Sequence, residues 1–203
     1  MRTALGAAMA LALCCALPAP ATPAPRARGC AMTDPAGDVT FTPGDYAMTA
    51  DHVDLRSVDV AVTAKTVDVT FHVTANDEMR LGEWRLTFTS GKTSVYVLAT
   101  RGGWITRIGN DDFPPGFRGG VVGAKPVEGT GSYDAPGLVR VHVPLGAFGK
   151  AQPRRGTVLS GFHAKAMEKF YNKQDVSLPW NEIGPVDTAS WPYRVTVGGG
   201  CRS

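Results

Sequence analysis

Apolar and polar residues alternate with period two along much of this chain. Between residues 66 and 74, Val67, Val69, Phe71 and Val73 fall on one side while Asp68, Thr70, His72 and Thr74 fall on the other. That is the pattern of a strand with one face buried and one face in water. Val58, Val60 and Val62 repeat it, and Ala64-Lys65 marks the turn of a hairpin. Trp84, Leu86 and Phe88 lead a second hairpin that turns at Ser90-Gly91-Lys92 and returns over residues 93–100. Further strands are expected at 104–108, 121–127, 138–144, 157–166 and 193–197. The stretch 110–120 is so rich in proline and glycine that it reads as a loop and a candidate ligand rim. One helical turn is expected over 144–149, and a turn or strand extension over 166–173. No segment keeps apolar residues at three-four spacing for the length of a regular helix.

These elements, about eight to ten strands without a composition break or internal repeat, predict an all-β fold: one domain built as a two-layer antiparallel β-sandwich. A closed barrel would carry the same pattern, because alternation does not fix strand order.

The two ends of the chain add a compartment. Met1-Arg2, an apolar run over 4–17 and Ala19-Pro20-Ala21 together read as a signal peptide over residues 1–21. The apolar run is shorter than the roughly 20 residues that span a bilayer, so the reading is secretion to the extracellular space with no membrane insertion. Residues 22–29, with Pro23 and Pro25 between small and basic residues, read as a tether, and 30–203 as the domain. Of the four cysteines, Cys30 and Cys201 lie outside the signal, one at each end of the domain. In an oxidising compartment the expectation is a single N- to C-terminal disulfide, with two free thiols as the alternative. Lys and Arg number 21 against 18 Asp and Glu, for a net charge of +3. No basic block is present, so neither nucleic acid nor an anionic membrane is an expected partner. The expected state is a monomer.

The order Asp34-Pro-Ala-Gly-Asp38, a spacer, Asp54-Leu55 opening an alternating valine segment, an aromatic-led hairpin and a last strand before a C-terminal cysteine resembles the secreted DOMON-like and family 9 carbohydrate-binding-module-like β-sandwiches. The resemblance covers most of residues 34–198. It implies a jelly-roll-like sandwich without catalysis that binds sugar, haem or no small ligand, often with structural calcium. Asp34, Asp38 and Asp54 occupy the positions that resemble the family pattern and are the candidate calcium ligands.

The residues themselves carry the same chemistry. Calcium takes six to eight oxygens at about 2.3–2.6 Å, and two carboxylates on a glycine-containing segment, with carbonyls between them, can converge on it. The alternative for these aspartates is turn capping beside Pro and Gly. Trp104, Phe113, Phe117, Trp180 and Trp191 lie in or beside expected loops and are the candidate sugar-stacking residues, whereas Trp84 reads as core. Packing beneath long loops is the alternative for all five. Haem would need axial partners such as Met and His, and no spacing selects a pair among Met48, Met79, Met167, His52, His72, His142 and His163. No HExxH or GxSxG occurs, and Asp111-Asp112 are neighbours on the Gly/Pro loop, so the reading is non-catalytic. Carbohydrate or another cell-surface component is therefore the expected partner. The runner-up is a structural or protein-interaction module using a sheet face or the 110–120 loop.

Overall fold

A computed structural model describes residues 30–40, 51, 53–75, 82–101, 116–134, 136–168 and 186–202. Two antiparallel sheets pack face to face around one core. Sheet A runs in the order β1 (Cys30–Thr33), β2 (Leu55–Val62), β3 (Thr66–Val73), β9 (Leu138–Pro144), β8 (Thr130–Asp134). Sheet B runs β13 (Gly200–Arg202), β12 (Arg194–Thr196), β10 (Val158–Glu168), β4 (Gly82–Ser90), β5 (Thr93–Arg101), β6 (Gly116–Val121), β7 (Val127–Glu128), with β11 (Val186–Trp191) also paired to β10. The all-β, two-sheet expectation holds. Among the described residues no helix is long and apolar enough to cross a membrane.

The alternation sets the register. Val58 faces Phe71 and Phe71 faces Val139, while Val60, Val69 and Val141 form the next row, so the inward side of sheet A is a block of β-branched and aromatic side chains. On sheet B the rows mix sizes. Trp84 stands between Ala99 and Ala166, and both alanines leave room for an indole that is 1% exposed. Gly82 completes that pocket, since a Cβ there would overlap the Trp84 ring. A bulge between Ser160 and His163 in β10 changes its parity, so that Leu159 and Phe162 both point inward. Gly161, at φ +62°, supplies the left-handed residue this bulge needs. Phe162 then stacks on Phe88 with ring centroids 5.5 Å apart.

Two expectations are revised by packing. The strand expected at 121–127 is displaced: β6 occupies 116–121, inside the glycine-rich stretch, and a turn at Val122-Gly123 leads to the two residues of β7. Gly119 permits close approach rather than breaking the strand. A Cβ at Gly119 would sit 2.8 Å from the Tyr96 carbonyl oxygen and 2.9 Å from the Val143 methyls of the facing sheet. The expected helical turn is a 3-10 segment, Leu145–Ala151, that buries Leu145, Phe148 and Ala151. β10 extends to Glu168. The strand expected at 104–108 lies outside the described residues.

Each lateral edge of the sandwich is closed by a chain segment that leaves one sheet and joins the other. On one side β1 pairs with β2, and residues 34–40 then cross to sheet B, where Thr40 and Val186 exchange backbone hydrogen bonds of 2.8 and 2.9 Å. On the other side β7 pairs with β6, the Gly129 N–H donates to the Phe117 carbonyl at 2.7 Å, and β8 then pairs with β9. An aromatic side chain crosses at each seam: the Trp191 indole N–H donates to the Thr33 carbonyl, and the Tyr133 hydroxyl to the Thr100 carbonyl, both at 2.8 Å.

Candidate metal centre

The first seam carries a concentration of carboxylates, and local chain chemistry explains how they meet. Asp34 follows β1 directly and remains tied to sheet A through its N–H, which donates to the Arg56 carbonyl at 3.0 Å. Pro35-Ala36-Gly37 then turn the chain, with Gly37 at φ +75°, a conformation that favours glycine. The Gly37 N–H donates to Asp54 Oδ1 at 2.9 Å, and the turn delivers Asp38 back toward Asp34. From the opposite sheet comes Asp187. It is the second residue of β11, on the inward-facing side with Ala189 and Trp191, and is 2% exposed. Its Oδ2 accepts the Leu55 N–H at 2.7 Å.

One carboxylate oxygen from each of Asp34, Asp38 and Asp187 lies within 4.8 Å of the others. Asp34 Oδ2 is buried without a hydrogen-bond partner. Both features raise the free energy of the ionised state. Burial first, then the charges of Asp187, Asp38 and Asp54, push the Asp34 carboxyl up to about 7. Burial likewise pushes Asp187 up to about 6; the Leu55 N–H opposes that rise while Asp38 and Asp54 add to it. A cation among these oxygens would remove the repulsion and engage the orphaned oxygen. A hard, oxygen-seeking divalent ion such as calcium fits a donor set of carboxylate oxygens.

Asp54 plays a different part from the three. Its Oδ1 holds Gly37, its Oδ2 accepts the Thr74 hydroxyl, and Arg56 Nη1 lies 4.0 Å away. It shapes the turn that carries Asp38 and adds negative charge beside the cluster. Of the three sequence candidates, the structure thus groups Asp34 and Asp38, sets Asp54 behind them as the organiser of their loop, and adds Asp187. The strands expected from alternation include none over residues 186–191, so nothing in them leads to Asp187. The available signal was an aspartate at an inward position of Asp187-Thr-Ala-Ser-Trp191, where alternation calls for an apolar residue.

The aromatic candidates separate. Phe117 lies in β6, half-buried, with its ring 5.1 Å from that of Tyr133. Trp191 is 8% exposed and closes the first seam. Trp104, Phe113 and Trp180 lie outside the described residues, as do Met48, His52 and Met79. His72 pairs with Asp59 at 2.9 Å and His142 with Asp68 at 3.0 Å on the outward face of sheet A, and Met167 is buried in β10. Cys30 and Cys201 belong to β1 and β13, in register with Val60 and Val195. No family model, curated protein or solved structure matches this chain.

Proposed function

We propose that the protein is a secreted, non-catalytic binding module for carbohydrate or cell-wall glycan, with a structural calcium ion held by Asp34, Asp38 and Asp187. A jelly-roll-like, DOMON-like or family 9 carbohydrate-binding-module-like sandwich closed by a Cys30–Cys201 bridge completes the reading. The observation that carries it is the convergence of three carboxylates from both sheets around a buried, unpartnered oxygen of Asp34. The ion belongs to the fold: its ligands come from the segment that joins sheet A to sheet B and from β11 of sheet B, so binding would favour the folded state over the unfolded one. The bridge rests on the sequence, which sets Cys30 and Cys201 at the two ends of the domain of a chain read as secreted.

The test joins both parts of the reading. A glycan array is run on the purified protein with calcium and with chelator, alongside thermal unfolding and elemental analysis. The expected result is one calcium per chain, a higher melting temperature with calcium, and glycan binding that weakens on chelation. No bound metal and no thermal shift would remove the calcium; no glycan bound under either condition would remove the ligand class.

A further inference from the structure

The connections at one end of the sandwich are basic or neutral. β2 and β3 join through residues 63–65, β4 and β5 through 91–92, β6 and β7 through 122–126, β9 and β10 through 145–157, and β12 and β13 through 197–199. These connections carry Lys65, Lys92, Lys125, Lys150, Arg154 and Arg155, all exposed, and no Asp or Glu. Val122, Val158 and Val127, at 52, 44 and 41%, are the exposed large hydrophobics among the described residues, and all three lie in or directly beside the same connections. Backbone and hydroxyl bonds tie this end together. The Leu145 N–H donates to the Lys65 carbonyl at 2.9 Å, the Ser90 hydroxyl to the Ala151 carbonyl at 2.8 Å, the Val122 N–H to the Ser94 carbonyl at 3.0 Å and the Gly156 N–H to the Val197 carbonyl at 2.9 Å. The carboxylates nearest in the chain, Asp68 and Glu128, are engaged elsewhere. Asp68 is bonded to His142 at 3.0 Å. Glu128 Oε2 is turned back along β6 with Arg118 Nη2, each 3.8 Å from the Cβ position of Gly116, at the opposite end of that strand from the 122–126 turn.

We propose that this end of the sandwich docks on the surface of an anionic phospholipid bilayer. The sequence shows no basic block because only Arg154 and Arg155 are neighbours in the chain, and antiparallel pairing gathers the other four bases to the same end. Bases set among exposed apolar side chains match both layers of a lipid interface: the cations meet the headgroup phosphates, and the valines enter the boundary with the acyl chains. A soluble anionic polymer would engage the bases and leave the valines in water. The carboxylate cluster lies at the other end of the strands, since Asp34 follows Thr33, which pairs with Ser57 near the start of β2, and Asp187 pairs with Ala166 near the end of β10. A negative surface would therefore orient the molecule with its basic turns toward the lipid and the carboxylate cluster away from it. Docking of this end needs neither calcium nor a glycan.

The experiment measures binding of the purified protein to vesicles of phosphatidylcholine mixed with phosphatidylglycerol, to vesicles of phosphatidylcholine alone and to soluble polyphosphate, without added divalent cations and across a salt series. Binding is expected on the mixed vesicles, weakening as salt rises, and not on the neutral ones. Lys92→Ser and Lys125→Ser should each weaken it by about fivefold, and the double variant by the product of the two. Val122→Ser should weaken vesicle binding by about fivefold while leaving any affinity for polyphosphate unchanged. Arg140→Ala on sheet A should leave vesicle binding as it is, and unchanged melting temperatures certify that the turn variants are folded. Equal binding to the two kinds of vesicle, or to neither, would overturn the proposal. So would vesicle binding that is indifferent to Val122→Ser and matched by polyphosphate, which would reassign this end to a soluble polyanion.

Discussion

The two seams of the sandwich solve one problem with different chemistry. Each must carry the chain from one sheet to the other without leaving backbone groups unpaired, and each uses one aromatic donor to reach across. The second seam is steric. Gly131 lies where a Cβ would overlap the Arg140 carbonyl and come within 2.6 Å of the Phe117 ring, and a Cβ at Gly129 would meet the His142 carbonyl at 2.5 Å. Tyr133 packs against Trp84 and Phe117, with Arg101 4.9 Å from its ring centroid. The first seam is electrostatic: its carboxylates repel one another, and its closure depends on what neutralises them. A seam made by shape should be indifferent to solution conditions, and one made by like charges should follow them.

The sharpest break falls on the steric seam. Gly131→Val should destabilise the fold by about 3 kcal/mol or more, because the overlapped atoms are a backbone carbonyl and a ring locked between Tyr133 and the core. Urea denaturation reads it, and the loss should be the same with calcium and with chelator. A loss confined to the chelated protein would show that the two seams are coupled.

The electrostatic seam should answer to metal instead. At a calcium concentration about a hundredfold above its dissociation constant, the folded state gains about 2.7 kcal/mol. For a chain of this size that corresponds to a melting temperature raised by roughly 5–10 °C. Asp187→Asn should abolish the calcium response while leaving the Leu55 N–H an oxygen to bond. A full response in that variant would place the ion elsewhere.

Legibility in the sequence divides along the same line. β2, β3 and β9 could be read because each has one wet face, so that Val67, Val69 and Phe71 stand out against Asp68, Thr70 and His72. β6 and β8 could not: Gly-Phe-Arg-Gly-Gly-Val and Thr-Gly-Ser-Tyr-Asp lack alternating apolar residues, and Gly119 and Gly131 lie where facing backbone and side chains leave no room for a Cβ. That requirement exists only once the sheets are packed. In the carboxylate cluster, Asp34 and Asp38 were visible as neighbours on a Pro/Gly turn. Asp187 enters through β11 from the far end of the chain, and single-sequence spacing carries no trace of that meeting.

A smaller effect separates the seams by pH. In the metal-free protein the folded-state values of Asp34 and Asp187, about 7 and about 6, lie above the ordinary carboxylate value near 4. A raised value means that the contribution of these groups is most favourable below the ordinary value and is lost as pH rises through 6 to 7. The melting temperature in chelator should therefore fall from pH 5 to pH 8. With calcium the trend should reverse, since the ion binds the deprotonated cluster. Asp187→Asn should flatten both curves, and an unchanged fall in that variant would assign the titration to other groups.

The finest comparison uses the two crossing aromatics. Trp191→Phe and Tyr133→Phe each remove one hydrogen bond of 2.8 Å to a carbonyl of the facing sheet, so each should cost about 1 kcal/mol in calcium. Their consequences for metal should differ. Thr33, the partner of Trp191, immediately precedes Asp34, so loosening it frees one ligand of the cluster and should lower calcium affinity as well as stability. Thr100, the partner of Tyr133, belongs to β5 and lies on the steric seam, so Tyr133→Phe should lower stability alone. Calcium titration of both variants by calorimetry reads this directly. Equal affinities would mean that Asp34 is positioned by its own N–H bond to Arg56 and by the Gly37 turn, with the Trp191 contact serving only to close the sandwich.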